Sequence, residues 1–166
     1  MVISSHLQIL LPELHAYARS ITSVSDSAED LVQDAIERAL RSDNEPSVLD
    51  ELRPWMFRVI RNLHFDELRK LRVRREYSAG LGRLSEESMQ TADHARDVLI
   101  RRAFEKLPPD TREVLFLVDI MGMKYAEAAK VMDAPNGTVM SRLSRARRAL
   151  LELVEGSSED RKSNGR

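Results

Sequence analysis

The sequence predicts an all-α protein made of two small helical domains joined by a flexible linker, the second of which contains a helix-turn-helix. Apolar residues recur at spacings of three and four along most of the chain, which is the period of an amphipathic helix. Between 74 and 91 that period fails, and Gly80, Gly82 and several serines appear, as in a linker. A short helix predicted at 125–132 is followed, after a tight turn, by a helix at 135–150, and this pairing indicates a helix-turn-helix.

Composition limits the functions that the chain can have. Its 166 residues fit one medium domain or two small ones, and 42% hydrophobic with 5% aromatic residues suits helices with aliphatic cores. The formal net charge is −1, so binding to nucleic acid would require positive charge segregated on part of the surface. Because the chain has no Cys, disulfides, thiolate metal sites and thiol chemistry are excluded.

The first segment is predicted to be a helix over 5–21, which Pro12 either kinks or starts. It carries no basic leader, and polar residues interrupt its apolar run, so it predicts neither a signal peptide nor a membrane span. We therefore expect a cytoplasmic protein without direct membrane insertion. The residues predicted to face inward are Leu7, Leu10, Leu11, Leu14, Tyr17, Ala18 and Ile21.

A second helix begins at a capping box formed by Asp26 and Glu29, with Ser25 as the rival cap. Its helical period places apolar residues from Ala28 to Leu40 on one side. The opposite side is acidic and carries Glu29, Asp30, Gln33, Asp34 and Glu37. This face cannot favour DNA, and composition alone allows either a solvated surface or a contact with a basic protein partner.

The third helix is predicted over 52–73, after a loop at 42–50 with turn-forming composition. Its polar side is basic, and Trp55, Phe57 and Phe65 lie among the charges. Basic residues with interspersed aromatics suit single-stranded DNA, because bases stack on the rings while cations follow the phosphates. The alternative, that these aromatics belong to the core, stays open. The core of this helix is predicted to contain Trp55, Val59, Leu63, Leu68 and Leu71.

The second domain is predicted to contain helices at 92–107 and 109–121 before the helix-turn-helix, with Gly122 at the carboxyl end of the second. The helix at 135–150 has no acidic residue and is strongly basic. Its arginines are Arg142, Arg145, Arg147 and Arg148. A helix of this kind can lie in the major groove, with its first turns reaching the base edges.

Nothing in the sequence predicts an enzyme. The histidines lie apart, without metal-ligand spacing, and no helix carries the Glu-x-x-His pair of a di-metal carboxylate protein. The chain also lacks a phosphate-cradling glycine loop with a Walker-type lysine. We therefore expect no catalytic residue, no metal, no cofactor and no small-molecule substrate.

Two strings, LPPDTREVLFLVDIMGMKYAEAAKVM and PNGTVMSRLSRARRAL, closely resemble the fourth conserved domain of bacterial sigma factors of the extracytoplasmic-function (ECF) group, in the sigma-70 superfamily. AEDLVQDAIERAL resembles the helix that those proteins present to the RNA polymerase clamp, and RPWMFRVIRNLHFDELRK resembles the segment that melts and reads the minus-ten element. The resemblance implies a sigma domain 2 at 1–75, a linker at 76–91, a sigma domain 4 at 92–155 and a disordered tail at 156–166.

The resemblance also implies functional residues. Those facing core RNA polymerase would be Asp30, Gln33, Asp34 and Glu37. Those contacting minus-ten DNA would be Arg58, Arg61, Asn62, Arg69 and Lys70. Those contacting minus-thirty-five DNA would be Asn136, Thr138, Met140, Ser141, Arg142 and Arg145. In the family, the residue matching Asn62 lies beside a base captured from the displaced strand. The loop at 42–50 departs from the family, since it lacks the aromatic residue that many relatives carry near that base.

The partners implied by the resemblance are core RNA polymerase, through its beta-prime clamp and beta flap, promoter DNA, and an anti-sigma factor that controls a stress or envelope response. The alternative is a stand-alone helix-turn-helix transcriptional regulator, whose first domain would serve for dimerisation or ligand binding. A continuous apolar pocket or a symmetric dimer would favour that alternative.

Overall fold

A computed structural model of the chain describes residues 2–22, 25–77 and 95–163, with side chains described for 3–22, 27–77 and 98–156. Regular structure in these ranges is helical throughout, which confirms the predicted all-α class. The helices are α1 (Val2–Ile21), α2 (Ser25–Leu40), α3 (Leu49–Tyr77), α4 (Ala95–Lys106), α5 (Pro109–Leu115), α6 (Tyr125–Met132) and α7 (Asn136–Ser163), and a π-helical turn (Phe116–Ile120) continues α5. Most of the predicted linker lies outside the described residues. We call α1–α3 the amino-terminal unit and α4–α7 the carboxy-terminal unit.

The amino-terminal unit is built on α1, whose inner face packs against both α2 and α3. Pro12 lies inside this helix, so it does not mark its start. The helix continues through it because Leu10, Leu14 and Tyr17 are buried on either side and hold the segment in place. Leu11 was predicted to face inward and is partly exposed instead. α2 begins at Ser25, and its predicted cap lies among side chains outside the described set.

The face that α3 buries differs from the predicted one. Its fully buried residues are Leu52, Pro54, Met56, Phe57 and Ile60. Trp55, Val59 and Leu63 are only partly buried. Leu68 and Leu71 are exposed, because every residue from 66 to 77 lies on the surface and the second half of α3 extends beyond the core.

The carboxy-terminal unit positions its last two helices by two left-handed residues. Gly122, with φ of 66°, ends the helix that contains the π turn, and the Met123 N–H donates to the Leu117 carbonyl at 3.0 Å, one residue further back than in a Schellman cap. Gly122 thus lies where the sequence places it. Asp133, with φ of 50°, ends α6, and only Ala134 and Pro135 separate it from α7. This short turn forms the predicted helix-turn-helix.

The last helix is longer than expected. α7 continues to Ser163, whereas the sequence predicts a disordered tail from Gly156. Residues 156–163 contain no proline, and a single glycine costs an exposed helix only about 1 kcal/mol, so the end of the buried face does not end the helix.

Candidate nucleic-acid interface

The acidic face of α2 is exposed, although Glu37 also lies 3.8 Å from the Arg41 guanidinium. Asp30, Gln33, Asp34 and Glu37 are all exposed, while Ala28, Leu31, Val32, Ala35 and Ala39 fill the opposite, buried side. Leu40 is 54% exposed and Ile36 is partly buried, so these residues give the acidic face an apolar edge. Exposed carboxylates beside an apolar edge suit a basic protein surface, where charge steers the encounter and apolar contact adds affinity.

A groove of about 410 Å³ lies between the end of α2 and the stretch of α3 from Trp55 to Arg69. It is lined by Arg38, Ser42, Trp55, Val59, Asn62, Asp66 and Arg69. Trp55 and Val59 supply apolar surface, Asn62 an amide that can both donate and accept, and Arg69 a cation held 3.0 Å from Asp66. A ring for stacking, an amide for edge recognition and cations for phosphates are the groups that an unstacked base requires.

The residues predicted to contact minus-ten DNA form two sets on α3. Asn62 and Arg69 are exposed and line the groove, and Lys70 is exposed next to Arg69. Arg58 and Arg61 lie on an adjacent strip of the helix, and both meet the carboxy-terminal unit. The Arg58 guanidinium is 3.6 Å from the Asp133 carboxylate at the end of α6, and Arg61 donates from Nε to Glu113 Oε1 at 2.8 Å. Arg61 is therefore only 16% exposed in its side chain.

Glu113 joins the two units. Its carboxylate on α5 accepts from Arg61 of α3 and, at 2.6 Å, from the hydroxyl of Tyr17 on α1. Burial, followed by the charge of Glu113, raises the pKa of Tyr17 well above its ordinary value, so this phenol remains a donor at neutral pH. Glu113 could not be recognised from the sequence, because a lone Glu in the string TREVLF gives no signal of a distant partner.

The aromatics of α3 have different environments, and Tyr77 at its end is exposed. Phe57 is fully buried, with its ring 4.8 Å from the Tyr17 ring, so it belongs to the core. Trp55 faces the groove. Phe65 is partly buried and lies 4.5 Å under the Arg61 guanidinium, where a cation–π contact helps to orient that arginine. The sequence left open whether these aromatics pack in the core or stack on bases. Phe57 packs in the core, whereas Trp55 lines the groove and is available for stacking.

His64 is a pH-sensitive group in this region. Its partial burial lowers the pKa below the ordinary value of 6.5, a shift to which Arg61 adds and which Glu67 and a backbone hydrogen bond to Ile21 oppose. The folded protein thus favours the neutral imidazole more than the unfolded chain does.

We expect the free energy of unfolding to fall as the pH is lowered through and below 6.5, because the unfolded chain then binds a proton that folded His64 resists. Urea unfolding of the protein and of His64→Gln, at about pH 7.5 and about pH 5.5, measures this. The wild type should lose more stability between the two pH values than the variant. Equal losses would assign the acid sensitivity to other groups.

The exposed side of α7 carries the residues predicted to contact minus-thirty-five DNA. Asn136, Met140, Ser141 and Arg145 are exposed, and Thr138 and Arg142 are partly buried at its edge. Val139, Leu143 and Ala146 hold the opposite side in the core. The Arg145 guanidinium donates to the Ser141 carbonyl at 3.3 Å, which keeps it close to the first turns of the helix.

Arg147 has a structural contact that separates it from the other arginines of α7. It donates two hydrogen bonds to the Asp119 carboxylate, at 3.0 and 2.6 Å, and so ties α7 to the π turn after α5. A bidentate pair of this kind fixes the geometry of both groups. Among the arginines of α7 with described side chains, Arg142 and Arg148 make no described ion pair and Arg145 bonds only to Ser141, so these three can still meet an external anion.

The described residues contain no group of three or more His, Asp or Glu side chains arranged to hold a metal ion. Within residues 2–22, 25–77 and 95–163, every helix is too short or too polar to cross a membrane.

Family models match both units of the chain. The model for sigma-70 region 2 matches residues 7–74, and the model for sigma-70 region 4 matches residues 97–150. The chain is 37% identical over 153 residues to ECF RNA polymerase sigma factor EcfG of Rhodopseudomonas palustris, covering 90% of this chain and 84% of that protein. It is 34% identical over 143 residues to ECF RNA polymerase sigma factor SigC of Mycobacterium tuberculosis, covering 82% and 76%.

Solved structures show the same arrangement of helices. Sigma factor RpoE of Bartonella quintana, in complex with the anti-sigma factor NepR, matches with a TM-score of 0.71 and 29% identity, over 92% of this chain and 96% of that chain. The PhyRSL–NepR complex from Sphingomonas sp. Fr1 matches with a TM-score of 0.68 at 15% identity, over 93% of this chain and 90% of that chain. At this identity the match shows a common fold alone.

Proposed function

Because the chain belongs to the extracytoplasmic-function group of RNA polymerase sigma factors, we propose that its acidic α2 face docks on core polymerase while α3 and α7 read the two promoter elements. The family consists of transcription initiation factors, which bind core RNA polymerase and direct it to promoters. We place the protein in the cytoplasm, where the polymerase is found, and assign it no catalytic step.

The observation that carries this proposal is the separation of charge between helices of one small protein. Asp30, Asp34 and Glu37 make α2 acidic, whereas the groove side of α3 and the exposed side of α7 are basic. An acidic face repels DNA and attracts a basic protein, while the basic faces do the opposite. One chain can therefore hold a polymerase and a promoter at the same time.

On α3, Asn62, Arg69 and Lys70 would bind the minus-ten strand along the groove, with Trp55 supplying the stacking surface that the loop at 42–50 lacks. Arg58 and Arg61 would contact the backbone of the same strand. On α7, Asn136, Thr138, Met140, Ser141, Arg142 and Arg145 would contact the minus-thirty-five element. Melting costs a few kcal/mol per flipped base, and contacts made by the polymerase would supply the remaining free energy.

In vitro transcription tests the function directly. Purified core polymerase is given a pool of genomic fragments, with and without this protein. New transcripts that start downstream of one shared two-part motif would support the proposal and reveal the promoter. A protein that binds DNA but neither binds core polymerase nor creates start sites would overturn it in favour of a stand-alone regulator.

The charge reversal Asp34→Arg is expected to weaken core polymerase binding by about tenfold, because it places a cation opposite a basic partner at the centre of the acidic face. Binding of the labelled protein to core polymerase, followed by fluorescence anisotropy, measures this. Asp43→Arg is the matched control, since Asp43 is also exposed but lies outside the acidic face. Equal weakening by both reversals would mean that net charge, not this face, governs binding.

Control by an anti-sigma factor is part of the proposal. A relative of 29% identity was solved with the anti-sigma factor NepR, and that likeness covers both units of the present chain. A partner of this kind would cover the acidic face of α2 and the helices of the carboxy-terminal unit, in a stress or envelope response. Affinity purification from uninduced and induced cells checks this. Recovery of polymerase alone under both conditions would count against it.

A further inference from the structure

The two units are joined by a buried polar contact rather than by an apolar seam alone. Glu113 is only 2% exposed, and both of its described side-chain hydrogen bonds come from the other unit, from Tyr17 at 2.6 Å and Arg61 at 2.8 Å. Phe116, from the π turn beside it, places its ring 6.1 Å from Tyr17. The carboxylate and the Tyr17 hydroxyl thus lie among aromatic rings with almost no exposure to water, while the Arg61 side chain is 16% exposed.

A second polar contact lies next to this one. The Arg53 guanidinium on α3 donates from Nη2 to the Met121 carbonyl at 2.7 Å, and its Nε donates to Glu13 of α1 at 2.5 Å. Glu13 therefore orients Arg53 toward the carboxy-terminal unit. The Met121 carbonyl lies at the end of the helix that contains the π turn, where the last carbonyls of a helix lack partners within the helix.

Polar contacts of this kind suit a joint that opens. When the units separate, a carboxylate, a guanidinium and a phenol can each form hydrogen bonds with water. Separating an apolar seam of the same area would instead expose nonpolar surface, which is unfavourable in water. A buried ion pair also contributes little net stability, because the cost of desolvation offsets most of the attraction between the charges. The buried apolar residues of both units also belong to one continuous core, and Glu113 adds to that seam a contact that specifies the closed arrangement.

The likeness to the anti-sigma-bound RpoE supports this closed arrangement. Each unit spans less than half of the 166 residues, so a TM-score of 0.71 over 92% of the chain requires both units to be placed alike in the two proteins.

We propose that Glu113 is a latch that holds the two units closed and keeps Arg61 from promoter DNA, so that opening exchanges the Glu113 carboxylate on Arg61 for a DNA phosphate. This inference rests on the proposed role of Arg61 in minus-ten binding. In the closed form, the groove side of α3 stays open to solvent, but Arg61 is enclosed by its contact with Glu113 of α5. Arg58 remains 47% exposed and is paired with Asp133 at the end of α6. The free protein therefore presents an incomplete DNA surface.

Energy transfer between two dyes tests the latch without polymerase or DNA. Because the chain has no cysteine, Ser47→Cys and Glu152→Cys introduce the two labelling sites, both exposed and outside the faces described above.

The free wild type should show high transfer, and Glu113→Gln should shift most molecules to low transfer. Tyr17→Phe, which removes one donor and keeps the ring, should give an intermediate shift. Asp119→Asn, which breaks an ion pair inside the carboxy-terminal unit, should change nothing. Unchanged transfer in both Glu113→Gln and Tyr17→Phe would overturn the latch.

Two further measurements connect the latch to function. Glu113→Gln should bind a mixed-sequence single strand of about 20 nucleotides roughly three- to tenfold more tightly than the wild type, because the binding-competent form no longer has to be opened. Adding Arg61→Ala to Glu113→Gln should abolish this gain in DNA affinity.

Core polymerase should lower the energy transfer of the wild type. A variant that opens without gaining DNA affinity, or a wild type that stays closed on polymerase, would overturn the proposal. Failure of the proposed function itself would appear separately, as absence of promoter-specific transcription by the wild type.

Discussion

Replacing Phe57 with alanine is expected to lower the free energy of unfolding by about 3–5 kcal/mol. The side chain is 0% exposed, and its ring packs 4.8 Å from that of Tyr17 in the core that joins α1 and α3. Truncation removes the buried ring and leaves a cavity that the rigid helices cannot close. Urea unfolding followed by circular dichroism gives the size of the loss.

Trp55→Ala is the matched comparison, because Trp55 lies two residues away on the same helix but faces the groove. It should cost less stability than Phe57→Ala and instead reduce the formation of open promoter complexes, measured by permanganate reactivity of unpaired thymines. A larger loss of stability for Trp55→Ala than for Phe57→Ala would contradict this division of the aromatics.

Replacing Arg142 with alanine is expected to weaken promoter binding by the polymerase complex by about 1–3 kcal/mol, or roughly 5- to 150-fold, if the guanidinium bonds a base edge in two places. Arg142 lies at the edge of the exposed side of α7. Because it is partly buried, its side chain loses less conformational entropy on binding than a fully exposed arginine would. Competition binding with promoter fragments, identified by the transcription assay, measures the effect. Polymerase affinity should not change.

Arg147→Ala provides the control within the same helix. It also removes one arginine, but that arginine is paired with Asp119 and serves to hold α7 against the π turn. Promoter affinity should fall much less than in Arg142→Ala, and the loss of stability should be small, because water and salt screen an exposed pair of this kind. If both variants lose promoter affinity equally, the basic charge of α7 as a whole is what matters.

Local rules predicted the helices well, and α3 shows where they failed. Periodicity identifies one apolar stripe, and it selected Trp55, Val59 and Leu63. α3 instead contacts α1, α2 and α6, so more than one side of it meets other helices, and Met56, Phe57 and Ile60 are the residues most deeply enclosed. A helix with several neighbours has no single inner face, and only its packing partners reveal which stripe is innermost.

The same limit applies to the candidate site. The exposed acids of α2 and the exposed polar residues of α7 follow from helical period, because each face depends on one element. The partners of Glu113 lie 96 and 52 residues away in the chain, and no spacing rule connects residues so far apart. The pairing of Arg147 with Asp119, 28 residues apart, escaped prediction for the same reason.

The division of α3 into two strips sets how freely this protein can change its promoter preference. Asn62, which lines the groove, makes no described contact with the carboxy-terminal unit, so substitutions there should alter base preference alone. Arg58 and Arg61 also meet Asp133 and Glu113, and a change at either position would disturb the free form as well. Variants of this sigma factor with a new promoter preference should therefore be sought by substitutions on the groove side of α3, while Arg58 and Arg61 are kept.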